Sequence, residues 1–291
     1  MTEPAKPFIP SRSMGRRTAR SGGPSLIACV LLTLLPQNAA CSRPAPHPVP
    51  PADPVPVEDP GFETSVALPV DTLYHDASMF TQGLCFHGGD IYESSGGYGS
   101  SRLRRIAWPS MEVLDEAVLP EGLFGEGIAI VDDTLCMLTW REGTALRFTV
   151  PDLEQCGSFS YDGEGWGLAA SDSLLYMSDG TGTITVRDPS TFSETGRLEV
   201  RVGGSGASFL NELEYRGGIL YANQWGLGTV LAIDAASGRV LSVMDASGLL
   251  DPSEWPGADV LNGIAFDPAG RMILTGKRWP FMFAVEAVTR P

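Results

Sequence analysis

Phe124-Gly125-Glu126-Gly127-Ile128-Ala129-Ile130-Val131, then the turn Asp132-Asp133 and the run Leu135-Cys136-Met137-Leu138, is the stretch whose reading decides the fold. Two short apolar runs separated by a polar turn read as a β-hairpin. Glycine weakens a strand interior and permits close backbone approach, so a carboxylate between two glycines belongs at the mouth of the first strand. The unit recurs. Gln82-Gly83-Leu84, Glu126-Gly127-Ile128, Trp166-Gly167-Leu168, Glu212-Leu213-Glu214 and Asn262-Gly263-Ile264 each open an apolar run, with middle residues 44, 40, 46 and 50 positions apart. A polar turn and a second apolar run follow in every copy. Third runs follow in the first four, at 103–106, 145–148, 183–186 and 230–233, whereas the fifth copy stops at 282–285.

Repeats of this length with about four strands are the signature of propeller blades. No helical stripe of convincing length appears after residue 61. The expected fold is therefore all-β: a five-bladed β-propeller, with 66–74 supplying the outermost strand of the last blade so that the two chain ends close the ring.

The first sixty residues have a different character. Arg16, Arg17 and Arg20 precede the apolar run 26–35, and Gln37-Asn38-Ala39-Ala40-Cys41 follows. This is the charged, apolar, small-residue order of a secretion signal, and the apolar run is too short to span a bilayer. Ala39-Ala40-Cys41 resembles a bacterial lipobox, in which the cysteine is lipidated and becomes the mature amino terminus; Asn38 departs from the aliphatic residue usual there. Either Met1 or Met14 fits as the start. Residues 1–41 are read as signal and lipobox, 42–62 as an extended Pro-rich linker, and 63–291 as the propeller domain. The expected protein is exported and held on the periplasmic side of the outer membrane by a lipid on Cys41.

Charge and composition narrow the function. From residue 61 onward there are 31 acidic and 14 basic residues, which argues against nucleic acid or an anionic membrane surface as a partner. Membrane contact is expected only through the lipid anchor, and the domain is expected to be a monomer. The domain holds Cys85, Cys136 and Cys156, an odd number that leaves at least one thiol free. His75 and His87 are too few for a His-rich zinc site. Asp162-Gly163 and Asp179-Gly180 read first as turns, and no Gly-x-Ser-x-Gly elbow or phosphate loop is present. No metal and no cofactor is expected.

In a propeller the loops leading into the innermost strands crowd one mouth of the central channel. Gln82, Glu126, Trp166, Asn211 with Glu212, and Asn262 hold equivalent positions there. Trp140, Asn223-Gln224-Trp225 and Lys277 end or follow the second strands. Symmetry thus gathers two carboxylates, several amides and three of the six tryptophans. Phe124 and Trp140 would desolvate Glu126 and raise its pKa. The bland alternative is an exposed glutamate in a glycine-rich hairpin. Lys277 is the only lysine after residue 60, beside thirteen arginines. An ammonium retained in an arginine-using chain points to a role that guanidinium cannot fill.

Phe80-Thr81-Gln82-Gly83-Leu84, Phe124-Gly125-Glu126-Gly127, Leu138-Thr139-Trp140, Gly163-Glu164-Gly165-Trp166-Gly167-Leu168, Leu210-Asn211-Glu212-Leu213-Glu214-Tyr215 and Thr275-Gly276-Lys277 together resemble the plant and bacterial type of glutaminyl-peptide cyclotransferase. The resemblance covers residues 74–285. It implies a five-bladed propeller that converts amino-terminal glutamine of peptides or proteins to pyroglutamate with release of ammonia. It also implies an acid/base role for Glu126 and a pocket built from Phe80, Gln82, Phe124, Trp140, Trp166, Asn211, Trp225 and Lys277. The chemistry asks for little more: the substrate's own amine attacks its own γ-carboxamide, and one carboxylate of raised pKa can act as base and then as acid. A nearby ammonium would lower that pKa, so Lys277 is placed towards the developing oxyanion, with Asn211 sharing the task. The alternative pairs Lys277 with Glu212 or Glu214 across two blades. The rival of another class is a non-catalytic periplasmic propeller lipoprotein that binds peptide or protein termini. Fold does not choose between the two, but a pure binder has no use for a desolvated acid.

Overall fold

The computed structural model describes residues 61–289. The expected signal, Cys41 and nearly all of the linker lie outside them. Every regular element described is a strand. The first is β1 (Glu63–Tyr74). Blade 1 is β2 (Thr81–His87), β3 (Asp90–Ser95), β4 (Arg102–Ile106) and β5 (Val113–Val118). Blade 2 is β6 (Gly125–Val131), β7 (Thr134–Thr139), β8 (Thr144–Thr149) and β9 (Gln155–Ser160). Blade 3 is β10 (Leu168–Ala170), β11 (Leu175–Met177), β12 (Thr183–Arg187) and β13 (Glu194–Glu199). A small ribbon, β14 (Arg201–Val202) with β15 (Ser205–Gly206), leads to blade 4: β16 (Leu210–Arg216), β17 (Ile219–Gln224), β18 (Thr229–Asp234) and β19 (Val240–Asp245). Blade 5 takes β20 (Leu261–Phe266), β21 (Met272–Gly276) and β22 (Phe281–Thr289) from the carboxyl end.

Its fourth strand comes from the other end of the domain. β1 runs antiparallel to β22 from Ser65 opposite Thr289 to Tyr74 opposite Phe281, the closure expected from the truncated fifth repeat. Its first residues also pair in parallel with β19, Glu63 with Ser242 through Val66 with Asp245, which ties blade 5 to blade 4.

Alternation of apolar residues along each strand buries one side against the neighbouring blade, and the core is accordingly divided into five clusters. Leu84, Ile91 and Ile106 of blade 1 meet Ala265, Ile273 and Met282 of blade 5. Ile128, Leu135 and Met137 of blade 2 meet Tyr92 and Leu103 of blade 1. Equivalent clusters join blades 2 and 3, 3 and 4, and 4 and 5. Every interface of the ring is packed with apolar side chains, including the one between blade 5 and blade 1, which the chain crosses from β1 to β2. Cys85 and Cys136 are buried in these layers, Cys156 is exposed, and all three thiols are free.

Four of the five innermost strands start with a β-bulge; β10 of blade 3 pairs in unbroken register. The register slips between Thr81 and Gly83 in blade 1, Gly125 and Ile128 in blade 2, Leu210 and Leu213 in blade 4, and Leu261 and Ile264 in blade 5. A bulge re-aims the side chains it carries, and here it turns the first one into the mouth of the channel. The register also corrects the alignment of the fourth copy by one residue. Leu213 matches Ile128 and Ile264 in the core, so Asn211 is the counterpart of Glu126 and Asn262. Glu212 stands where the other blades have glycine. Those glycines are required by close approach: a Cβ on Gly127 would lie 2.5 Å from the Leu168 nitrogen and 2.7 Å from the Gly167 Cα.

Candidate active site

The bulge of β6 delivers Glu126, and both neighbouring blades hold its backbone. Ser94 of blade 1 donates its hydroxyl to the Glu126 carbonyl at 2.7 Å, and the amide of Gly127 donates to the Trp166 carbonyl of blade 3 at 2.7 Å. Blade 4 repeats the device, with Ser178 Oγ donating to the Asn211 carbonyl at 2.6 Å. The Glu126 side chain is buried and receives one hydrogen bond, from Gln82 Nε2 to Oε1 at 3.0 Å. Asn262 Nδ2 in turn donates to Gln82 Oε1 at 3.2 Å and to the Thr81 carbonyl at 3.0 Å. That second bond leaves the Gln82 amide only one useful orientation, with its N–H groups towards Glu126.

Burial pushes the Glu126 pKa well above the usual carboxylate range; Lys277 opposes the shift, and Glu164 and Glu142 add to it. Desolvation dominates because a lone carboxylate in an apolar surround has no solvent to share its charge.

Glu126 faces a cavity of about 430 Å³ lined by Phe80, Gln82, Phe124, Glu126, Trp140, Trp166, Asn211, Trp225 and Lys277. All nine residues singled out from the sequence meet there, drawn from all five blades. The walls are aromatic: Phe124 packs on Phe80 and on Trp140 with centroids 6.4 and 5.5 Å apart, and Trp166 meets Trp225 edge-on at 6.4 Å. The polar groups of the lining are Gln82, Glu126, Asn211 and Lys277. Asn211 is buried, and its Oδ1 has no partner among the described residues. A concave, mostly apolar site with a few convergent polar groups is the usual form of a small-molecule pocket.

Lys277 follows the last residue of β21. Its amide donates to the Val260 carbonyl at 3.0 Å, and its own carbonyl receives the Asp259 amide at 2.8 Å. The ammonium lies 4.8 Å from the Phe80 ring centroid and makes no ion pair within 4.0 Å among the described residues. Burial pushes its pKa down, with Glu126 and then Asp259 pulling the other way. The alternative pairing with Glu212 or Glu214 is not what the structure shows. Glu212 is taken by the amides of Leu84 at 3.3 Å and Ile264 at 2.8 Å, while the charge facing Glu214 is Arg216.

Four residues placed at the mouth by symmetry do not line the cavity. Glu212 accepts the amides of Leu84 and Ile264, Asn262 donates to Gln82, Asn223 Oδ1 accepts the Gly263 amide at 2.9 Å, and Gln224 bonds Ser208 and Thr229. Sequence reasoning also missed side chains that support the walls. Glu142 accepts the Tyr98 hydroxyl at 2.9 Å and the Phe124 amide at 3.3 Å, and Glu164 accepts both Trp140 Nε1 and Trp166 Nε1. Their more distant partners do not show in the spacing: Tyr98 lies 44 residues from Glu142 and Trp140 lies 24 from Glu164, although Trp166 is only two residues from Glu164. Among the described residues, no three His, Cys, Asp or Glu side chains gather as metal ligands would.

Fold and cavity define a class: a closed five-bladed propeller whose blades converge on a single desolvated carboxylate in an aromatic pocket. The chain matches the family model for glutamine cyclotransferase over residues 54–287. It is 34% identical over 220 residues to the glutaminyl-peptide cyclotransferase of Arabidopsis thaliana, covering 73% of this chain and 68% of that one. The crystal structure of Myxococcus xanthus glutaminyl cyclase superposes with a TM-score of 0.72 at 35% identity, covering 79% of this chain and 100% of that one. This chain belongs to the glutamine cyclotransferase family.

Proposed function

We propose that the protein cyclises the amino-terminal glutamine of peptides and proteins to pyroglutamate, releasing ammonia, and that Glu126 carries the proton between the two nitrogens. The observation that carries this reading is the buried carboxylate of raised pKa facing an aromatic cavity. Burial makes the Glu126 carboxylate hold a proton more tightly than usual, which suits it to take a proton and give it back. The neutral amine attacks Cδ of its own side chain, and a C–N bond forms while the carbonyl oxygen becomes an oxyanion. Glu126 takes a proton from the new ammonium and returns it to the departing amide nitrogen. The C–N bond to that nitrogen breaks, the carbonyl re-forms, and ammonia leaves. Lys277 and Asn211 are assigned to the oxyanion, since fixed donors in a water-poor site act most strongly on charge that develops during reaction. The aromatic walls favour the curled glutamine in which amine and Cδ are already close.

Ammonia release from a Gln-initiated dipeptide, followed with purified protein, tests the proposal. Binding of that peptide without ammonia release would instead identify the non-catalytic propeller.

Export and lipid attachment at Cys41 form part of the same proposal. They rest on the order Arg16, Arg17 and Arg20, apolar 26–35, Ala39-Ala40-Cys41 and the prolines beyond. Cys41→Ser should then move the protein from the outer-membrane fraction to the soluble one; a wild-type chain that is already wholly soluble in the periplasm counts against it.

A further inference from the structure

Glu164 lies in the loop between β9 and β10 and lines no part of the cavity, yet two walls of the cavity end on it. Its Oε2 accepts Trp140 Nε1 at 2.8 Å and Trp166 Nε1 at 3.0 Å. Its Oε1 accepts Arg141 Nε at 2.9 Å, and the Arg141 guanidinium lies 3.7 Å from the centroid of the Trp140 ring. The two indoles belong to different blades: Trp140 follows β7, and Trp166 precedes β10. One carboxylate oxygen therefore spans the seam between blades 2 and 3 at the height of the pocket.

The loop is shaped to bring that oxygen in. Gly163 has a φ of 89°, and a Cβ on Gly165 would strike the Tyr161 hydroxyl and lie 3.0 Å from the Thr139 carbonyl. An indole has a single N–H and no other polar group with which to fix its ring. With Glu164 removed, neither indole N–H keeps a hydrogen-bond partner among the described residues, and Trp140 keeps only the Arg141 guanidinium on its face. A carboxylate has about four lone-pair sites and can serve both indoles and the guanidinium together. A carboxamide has one acceptor oxygen, and its NH₂ would meet the Arg141 donor.

We propose that Glu164 is a positioning residue that sets the gap between Trp140 and Trp166, and so holds the substrate's glutamine side chain in its curled, reactive form. This rests on the cyclotransferase reading of the same pocket. Glu164 acts through the two rings rather than on the reacting atoms. A displacement of about 1 Å in a positioning group can cost roughly a hundredfold in rate, and an indole released from its anchor has that freedom.

The test compares wild type, Glu164→Ala, Glu164→Gln and Arg141→Ala in three measurements: steady-state ammonia release from a Gln-initiated dipeptide, thermal unfolding, and the indole N–H resonances in solution. Glu164→Ala should lower kcat/KM about a hundredfold, through both kcat and KM, at a little-changed unfolding temperature. Two indole resonances, those of Trp140 and Trp166, should move together. Glu164→Gln, whose single oxygen can still reach both rings, should recover part of the activity, and Arg141→Ala, which strips the guanidinium from the Trp140 face, should leave the Trp166 resonance in place. Wild-type kcat/KM in folded Glu164→Ala overturns the proposal, as does a loss that only tracks the folded fraction. Movement of one resonance alone refutes the bridge. The resonances are read without substrate, so failure of wild type to release ammonia would refute the cyclotransferase reading and leave the bridge to be judged separately.

Discussion

Glu126 and Glu212 are both buried carboxylates on innermost strands, two blades apart, and burial pushes both well above the usual carboxylate range. Their surroundings give them opposite uses. Glu212 occupies the glycine position of its blade, at the axis of the ring. Its two oxygens accept backbone amides from blades 1 and 5, Leu84 and Ile264. Any movement of its carboxylate breaks backbone hydrogen bonds of two other blades. Glu126 occupies the position before, receives one side-chain amide from Gln82, and turns towards the cavity. Desolvation raises a pKa wherever a carboxylate is buried, but only a group open to a substrate can use the proton it holds. Glu212 is bonded as a strut, and Glu126 is the one placed to act as the acid we propose.

The sharpest way to break that comparison is to remove the charge of Glu126 and keep its shape. Glu126→Gln should lower kcat by about 10²–10⁴-fold, the usual contribution of a general acid–base group, with no loss of thermal stability. Ammonia release and thermal unfolding of one preparation check both halves. Near-normal turnover would move the proton to another carboxylate, with Glu164 or Glu212 next.

Lys277 extends the comparison to the cationic side of the pocket. Lys277→Ala should lower kcat and kcat/KM together by about a hundred- to a thousandfold, the cost of losing an oxyanion donor. Lys277→Arg should recover only part, since a planar guanidinium does not replace a point-like ammonium. Full specific activity in Lys277→Ala would remove it from the oxyanion site.

For Glu212 the expected effect is on stability instead. Glu212→Ala leaves the buried amides of Leu84 and Ile264 unpaired, at ~1–3 kcal/mol each, so its denaturant midpoint should fall while turnover per folded molecule stays near wild type. Reduced turnover at full folding would make the strut part of the machinery.

The smallest effect concerns Glu214, on the same strand, which burial pushes up to about 8 against the pull of Arg216. A carboxylate with a raised folded pKa favours the folded state while protonated. That contribution is full below the unfolded carboxylate range and is lost as pH rises towards about 8. Stability should therefore decline across that window in wild type and decline less in Glu214→Gln. Thermal unfolding at several pH values reads the difference directly.

Much of this molecule was legible in its chain. Gln82-Gly83-Leu84 and its copies mark the innermost strands, and the missing fourth strand of the fifth copy announces β1 on β22. Those signals survive because strand alternation and turn chemistry depend on neighbours within a few residues. The fourth copy shows where such reading fails. Glu212-Leu213-Glu214 looks like Glu126-Gly127-Ile128 when matched by its carboxylate, but the bulge register aligns it by Leu213. The phase of a bulge depends on which apolar residue fills the seam between two blades, and that is a matter of packing.

The sequence by itself determined the number of blades and the strand that closes the ring, which follow from a period and a turn pattern. The nine residues of the pocket came from the family resemblance laid over the positions that symmetry brings to one mouth. Only the tertiary structure decided which of two buried glutamates meets the cavity, that Asn262 works behind Gln82, and that Glu164 holds two tryptophans. The physical reason is range. Asn262 reaches a side chain 180 residues away, and Glu212 accepts amides 128 and 52 residues distant. Desolvation and hydrogen bonding act between atoms that meet only once the ring has closed, whatever their separation along the chain.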